Sequence, residues 1–218
     1  GGRYEGRWVR GKRSGPGVMT FANQSVYDGM WRLDRREGQG TMQYRNGDFY
    51  VGRWRLDQKS GFGRMYYPGG GRYEGNWADS QRNGNGKMTY ADGGVYDGAW
   101  ENGKREGRGK MMYSNRNVYE GEWKNDAKDG SNSTMHYANG NAYGGAWSQD
   151  KKWGHGTMSY ANGDMYVGEW VYDRRHGQGE MHYVDGRIEK GAWYDGVFQD
   201  RGTKRPAEGP PRTDAHAA

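Results

Sequence analysis

The chain has 218 residues, of which 32% are apolar, 28% charged and 15% aromatic, with a net charge of +6 and a mean hydropathy of -1.30. So few apolar residues cannot fill an ordinary compact core, yet ten Trp and eighteen Tyr argue against simple disorder, and 41 Gly with only 5 Pro exclude collagen and polyproline. The absence of Cys excludes a disulfide framework, a thiolate metal site and a cysteine nucleophile, while a pI near 9.3 permits acidic partners without choosing among them.

The chain opens on Gly-Gly rather than Met, as a processed or truncated start would. It shows no signal-peptide pattern, and no apolar run approaches the roughly 20 residues of a membrane-spanning helix. From Tyr4 onward a repeat takes over. Trp8, Trp31, Trp54, Trp77, Trp100, Trp123, Trp147, Trp170 and Trp193 follow one another at intervals of 23 residues, with one step of 24. A glycine stands two residues before each of them, and a Tyr two before that glycine in all but the last unit, where Glu189 takes the slot. Each unit continues into a second motif, Gly-x-Gly-x-Met-x-Tyr, as in Gly38 to Tyr44 and Gly177 to Tyr183.

Both motifs alternate with a period of two, which predicts β-strands with Tyr, Gly and Trp, or Gly, Met and Tyr, on one face. Asn46-Gly47-Asp48, Asn139-Gly140 and Asn162-Gly163-Asp164 predict the turns between units, and a polar loop of about seven residues is expected between the two strands of each unit. Nothing reads as a helix. The expected fold is all-β: an elongated, twisted, single-layer antiparallel meander of about nine hairpin units, in which rings packed on glycine keep one face dry. Residues 1–203 form the array, its ninth unit a degenerate closing cap, and residues 204–218 have the composition of a flexible or partner-docked tail.

Three places break the pattern. After Gly130, unit six reads Ser131-Asn132-Ser133-Thr134, one residue longer and without its second glycine, which predicts a bulge. Trp153, the one Trp outside the repeat slot, falls in the expected loop of unit seven and is a candidate partner anchor or a cap on the neighbouring rings. Unit nine has Val197-Phe198 and no Met or Tyr after them.

The segments Tyr119-Glu-Gly-Glu-Trp123 and Tyr166-Val-Gly-Glu-Trp170, the latter followed by Arg175-His176-Gly177-Gln-Gly179, resemble the repeats of MORN proteins (membrane occupation and recognition nexus). The resemblance covers residues 4 to about 203. It implies single-layer hairpin ribbons acting as scaffolds, with relatives among membrane tethers, radial-spoke and other ciliary proteins, and regulatory segments of lipid kinases.

No catalytic residue, metal site or cofactor is expected. The five His occupy scattered repeat slots without metal-ligand spacing, no nucleophile elbow occurs, and the Gly-x-Gly pairs lack the Lys of a phosphate loop. Two surfaces are candidates. One is the ring-lined face, carried by Tyr27, Trp31, Tyr50, Trp54, Tyr73, Trp77, Tyr96, Trp100, Tyr119, Trp123, Tyr143 and Trp147, which would take a partner helix or peptide if left open. The other is a basic row, Arg13, Arg36, Lys59, Arg82, Arg105, Lys128, Lys152 and Arg175, which either docks acidic tails and phosphoinositides or is spent on local ion pairs and stacking over Trp. The reading is a non-enzymatic scaffold in a cytoplasmic, cytoskeletal assembly, with a ciliary axoneme or radial spoke as the leading case. A tether to anionic membrane and a regulatory segment of a larger enzyme are the alternatives. Other proteins of the assembly are the expected partners, a homodimer through open strand edges is a further option, and nucleic acid is not expected.

Overall fold

A computed structural model describes residues 1–199; the 204–218 tail lies outside the described residues. Eighteen strands form one open antiparallel meander, each pairing with the next in sequence: β1 (Arg3–Val9), β2 (Lys12–Thr20), β3 (Val26–Arg32), β4 (Arg35–Gln43), β5 (Phe49–Arg55), β6 (Gln58–Tyr66), β7 (Arg72–Ala78), β8 (Gln81–Thr89), β9 (Val95–Glu101), β10 (Lys104–Met112), β11 (Val118–Lys124), β12 (Ala127–His136), β13 (Ala142–Ser148), β14 (Lys151–Ser159), β15 (Met165–Val171), β16 (Arg174–His182), β17 (Ile188–Tyr194) and β18 (Val197–Phe198). No helix is present among the described residues, as the period-two alternation requires.

The connection inside each unit departs from the sequence-based expectation. Instead of a seven-residue loop, the two strands are joined by two residues, such as Leu33-Asp34 (φ 49° and 67°) or Asn102-Gly103 (φ 50° and 82°). Positive φ at both positions is the type I′ turn, whose twist matches that of paired strands. The remaining polar residues continue as strand through a bulge: Gly29 faces Gly40 and Trp31 faces Arg36, so Met30 alone on β3 opposes Glu37, Gly38 and Gln39 on β4. Gly38, at φ 78°, lies in that bulge. The basic slots, His155, His176 and Trp153 therefore belong to strands and not to loops. Between units the register is unbroken except from unit six to unit seven, with Gly38, Gly40 and Met42 facing Trp54, Gly52 and Tyr50.

This register lines up the glycines across the sheet, with Ser133 in place of one of them. Tyr27 lies flat over one such pair: a Cβ on Gly29 or on Gly40 would sit 2.7 Å from its Cζ, inside the ring's own volume. The space a side chain would have filled is what lets a ring rest on backbone. Each Tyr then packs edge-to-face on its own Trp and on the Trp of the next unit, as Tyr27 does on Trp31 (5.1 Å, 89°) and Trp54 (5.4 Å, 85°). The zigzag continues to Trp193. Met42 and its equivalents close over the rings.

Candidate functional site

The ring-lined face is the core, not an open strip. Tyr27, Tyr50, Tyr73, Tyr96 and Tyr119 are fully buried, and Tyr143 with Trp31, Trp54, Trp77, Trp100, Trp123 and Trp147 is 6% exposed or less. The polar ends of these rings are also occupied. Tyr27 Oη donates to the Met30 carbonyl at 3.0 Å, and Trp31 Nε1 donates to the Gly17 carbonyl, fourteen residues back, at 3.0 Å. The same pair of bonds recurs in successive units. Burial holds these phenols protonated beyond their ordinary range, to about 12 for Tyr119 and Tyr166. The expectation of a partner along these twelve rings is thus corrected: flat packing on glycine, with Met and further Tyr side chains of the same face packed against them, covers them from within one chain.

The basic row completes that cover. Arg36 lies with Cζ 4.3 Å from the Trp54 ring centroid, its Nε donates to Asp57 Oδ1 at 3.1 Å, and its Nη2 donates to the Asp57 carbonyl at 2.8 Å. A cation of one unit therefore clamps the indole and the turn of the next. Arg13, Arg82, Arg105 and Arg175 lie over Trp31, Trp100, Trp123 and Trp193 at 4.0–4.2 Å. Lys59, Lys128 and Lys152 take the same place over Trp77, Trp147 and Trp170 at 4.2–4.6 Å, and burial lowers the pKa of all three. Hydrogen bonds from the Arg13 backbone and Lys12 hold Asp34 down at about 2. The eight cations are spent on inter-repeat packing, the second of the two roles their spacing allowed.

At unit six the insertion is a bulge between Gly130 and Ser133 on β12. Ser133 replaces a row glycine and accepts a hydrogen bond from Tyr119 Oη at 3.0 Å, while the indole N–H of Trp147 is left buried without a partner. Trp153 is 43% exposed and packs edge-on to Tyr172 at 5.3 Å. Beside Trp193, Phe198 packs at 5.2 Å, and Glu189 accepts a hydrogen bond from Tyr183 Oη.

What remains accessible is the opposite face and the two long edges. The opposite face has a glycine floor between alternating polar side chains, with a shallow depression lined by Asp97, Arg108, Lys110, Glu120, Asn132 and Thr134. Cross-strand ion pairs run along this face, including Arg64–Glu74 at 3.1 Å and, at the depression, Lys110–Glu120 at 3.3 Å. Sequence reasoning passed over this face; its signal was the run of charged residues alternating with Tyr, Gly and Trp. Among the described residues no group of three His, Asp or Glu comes together to hold a metal, and no helix is long and apolar enough to cross a membrane.

The model of the MORN repeat matches residues 4–26, 27–49, 50–72, 73–95, 96–118, 119–131, 143–165 and 166–186. No curated protein matches the chain. Among solved structures, the TCP10 domain of Danio rerio CPAP is similar at 14% identity and a TM-score of 0.45, covering 88% of this chain and 89% of that one. The TCP domain of Drosophila melanogaster SAS-4, solved with a proline-rich motif of Ana2, is similar at 17% identity and a TM-score of 0.44, covering 82% and 90%. At these values neither likeness speaks to what this chain binds. The eight matched repeats span most of the described sheet, and the chain belongs to the MORN-repeat family.

Proposed function

We propose that this chain is a non-enzymatic scaffold for protein–protein assembly, a structural subunit of a cytoskeletal complex with a ciliary axoneme such as the radial spoke as its setting. One observation carries the reading. The rings and the basic row are consumed in joining each repeat to the next, so the array forms a continuous stiffened sheet whose free chemistry is confined to its outer face and edges. Such an array presents regularly spaced contacts along its length. A membrane tether built on the basic row has lost its cations to the indoles.

Affinity capture from ciliated-cell lysate at moderate salt, with mass spectrometry of the retained proteins, tests the proposal. Co-purification of a defined set of axonemal or other cytoskeletal proteins is expected. Recovery of no stable protein, together with binding to anionic vesicles, refutes it.

A further inference from the structure

The two-residue turns inside the units line one long edge of the sheet. Their first residues, Arg10, Leu33, Leu56, Asp79, Asn102, Asn125, Gln149, Tyr172 and Asp195, all hold φ between 47° and 51°. Left-handed backbone suits Asn, Asp and Gly, and most of the row obeys that preference or is at least polar. Leu33 and Leu56 violate it, and they are also 66% and 54% exposed, so burial does not offset the strain. Val9, the last residue of β1 and one before the Arg10-Gly11 turn, is 40% exposed. Positions that break local rules without a return in packing are where function is expected.

Charge is concentrated at the same place. Residues 1–58 contain eleven Lys and Arg against six Asp and Glu, a net +5 of the chain's +6. Arg13 and Arg36 are held over indoles, but Arg10, Lys12, Arg32, Arg35 and Arg55 are exposed beside the tips. Among the described residues only Lys12 of these five is in an ion pair, with Asp34 at 3.0 Å.

Resting on the scaffold reading, we propose that the edge formed by the first three hairpin turns docks an extended acidic protein segment carrying apolar residues in register with Leu33 and Leu56, with Val9 beside the first tip. Neighbouring tips are two strands apart, about 9.6 Å, and three residues of extended chain span about 10 Å. In the three-fold polyproline II form of an extended chain, three residues make one turn of about 9.3 Å and return the side chain to the same face, so the matching segment has an apolar residue at every third position and Asp or Glu between. A flat bilayer fits less well: at an ordinary twist of about 20° per strand, tips four strands apart diverge by about 80°. A chain laid along the edge follows that rotation.

Fluorescence anisotropy tests this on the full chain, with a labelled peptide of repeated Glu-Glu-Leu triplets and a Glu-Glu-Ser peptide of equal charge. The Leu peptide should bind about tenfold or more tightly than the Ser peptide. The double variant Leu33→Asn and Leu56→Asn, whose turns suit Asn better than Leu, should lose that difference. Replacing Arg10, Arg32, Arg35 and Arg55 with Gln should abolish binding, whereas Lys87→Gln with Lys110→Gln on the opposite face should leave it intact. Equal binding of both peptides, or unchanged binding by the double Leu variant, overturns the proposal. Recruitment by this edge to anionic phospholipid vesicles but not to the Leu peptide also overturns it, and assigns the edge to a bilayer. The double Leu variant that still captures the wild-type set of proteins from lysate removes this edge and leaves the scaffold reading standing; a wild-type chain that captures none removes the scaffold reading itself.

Discussion

Replacing Arg105 with Ala should open the joint between units five and six. The guanidinium lies 4.0 Å from the Trp123 ring centroid, and its Nε and Nη2 donate to Asp126 Oδ1 at 3.0 Å and to the Asp126 carbonyl at 2.6 Å. Its side chain is only 17% exposed. A cation over an indole in this setting contributes about 1 kcal/mol, the charge-assisted bond to a carbonyl about 1.5, and the stem covering the ring about 1 more, so Arg105→Ala should cost about 3.5 kcal/mol. Arg105→Lys should cost about 1.5 kcal/mol, keeping the cation over the ring as Lys59 does 4.2 Å from Trp77 and giving up the bond to the carbonyl. Arg105→Met should fall between, at about 2.5 kcal/mol, keeping the cover without the charge or the carbonyl bond. Urea denaturation followed by Trp fluorescence measures the totals. Native-state hydrogen exchange locates the loss, which in a quasi-one-dimensional array should centre on β10 and β11. If Arg105→Ala costs no more than Lys104→Ala, a change at an exposed neighbour bonded only to Asn125, the stapling argument fails. Loss of captured partners with no loss of stability would return the row to the surface as a docking site.

Other consequences can be checked directly. Gly40→Ala should destabilise by about 3 kcal/mol or more, since the new methyl meets the Tyr27 ring; a neutral melting temperature would contradict the packing. Alkaline unfolding should be cooperative. The core Tyr have folded pKa values raised by burial, so their stabilisation is present below pH 10 and is lost as pH rises toward the folded values, by about 1.4 kcal/mol per unit for each ring. Absorbance of phenolate and loss of far-UV circular dichroism should therefore coincide between pH 10 and the folded value of about 12. Deleting Asn132 together with Ser133→Gly restores the 23-residue spacing and an acceptor for Trp147 Nε1, and should stabilise by about 1 kcal/mol in chemical denaturation; destabilisation would show that the bulge is needed for folding. Leu33→Asn should raise stability by about 0.5–1 kcal/mol by relieving the left-handed Leu, and a fall would mean that Leu33 packs in the folded chain.

The amino-acid sequence by itself determined the number of units, the strand pairs and the all-β class. A period of 23 with alternation inside each motif leaves no other secondary structure that places Tyr, Gly and Trp on one face. It also determined the identity of the core, because Tyr, Trp and Met are nearly all the apolar matter the chain has. Tertiary structure decided the roles. Whether Arg36 faced solvent or Trp54 depended on the bulge at Gly38, which spacing alone read as a loop and which turns the side chain onto the neighbouring repeat. Whether the rings formed a groove or a core depended on the cross-strand register of Gly29 with Gly40, which lets a Tyr lie flat on backbone and needs no second layer. Both are contacts between residues of different strands and units, and pairing in space is what a one-dimensional pattern does not carry. The exposed Leu33 and Leu56 make the same point in reverse: their letters were visible throughout, but only the left-handed turn beneath them marks them as out of place.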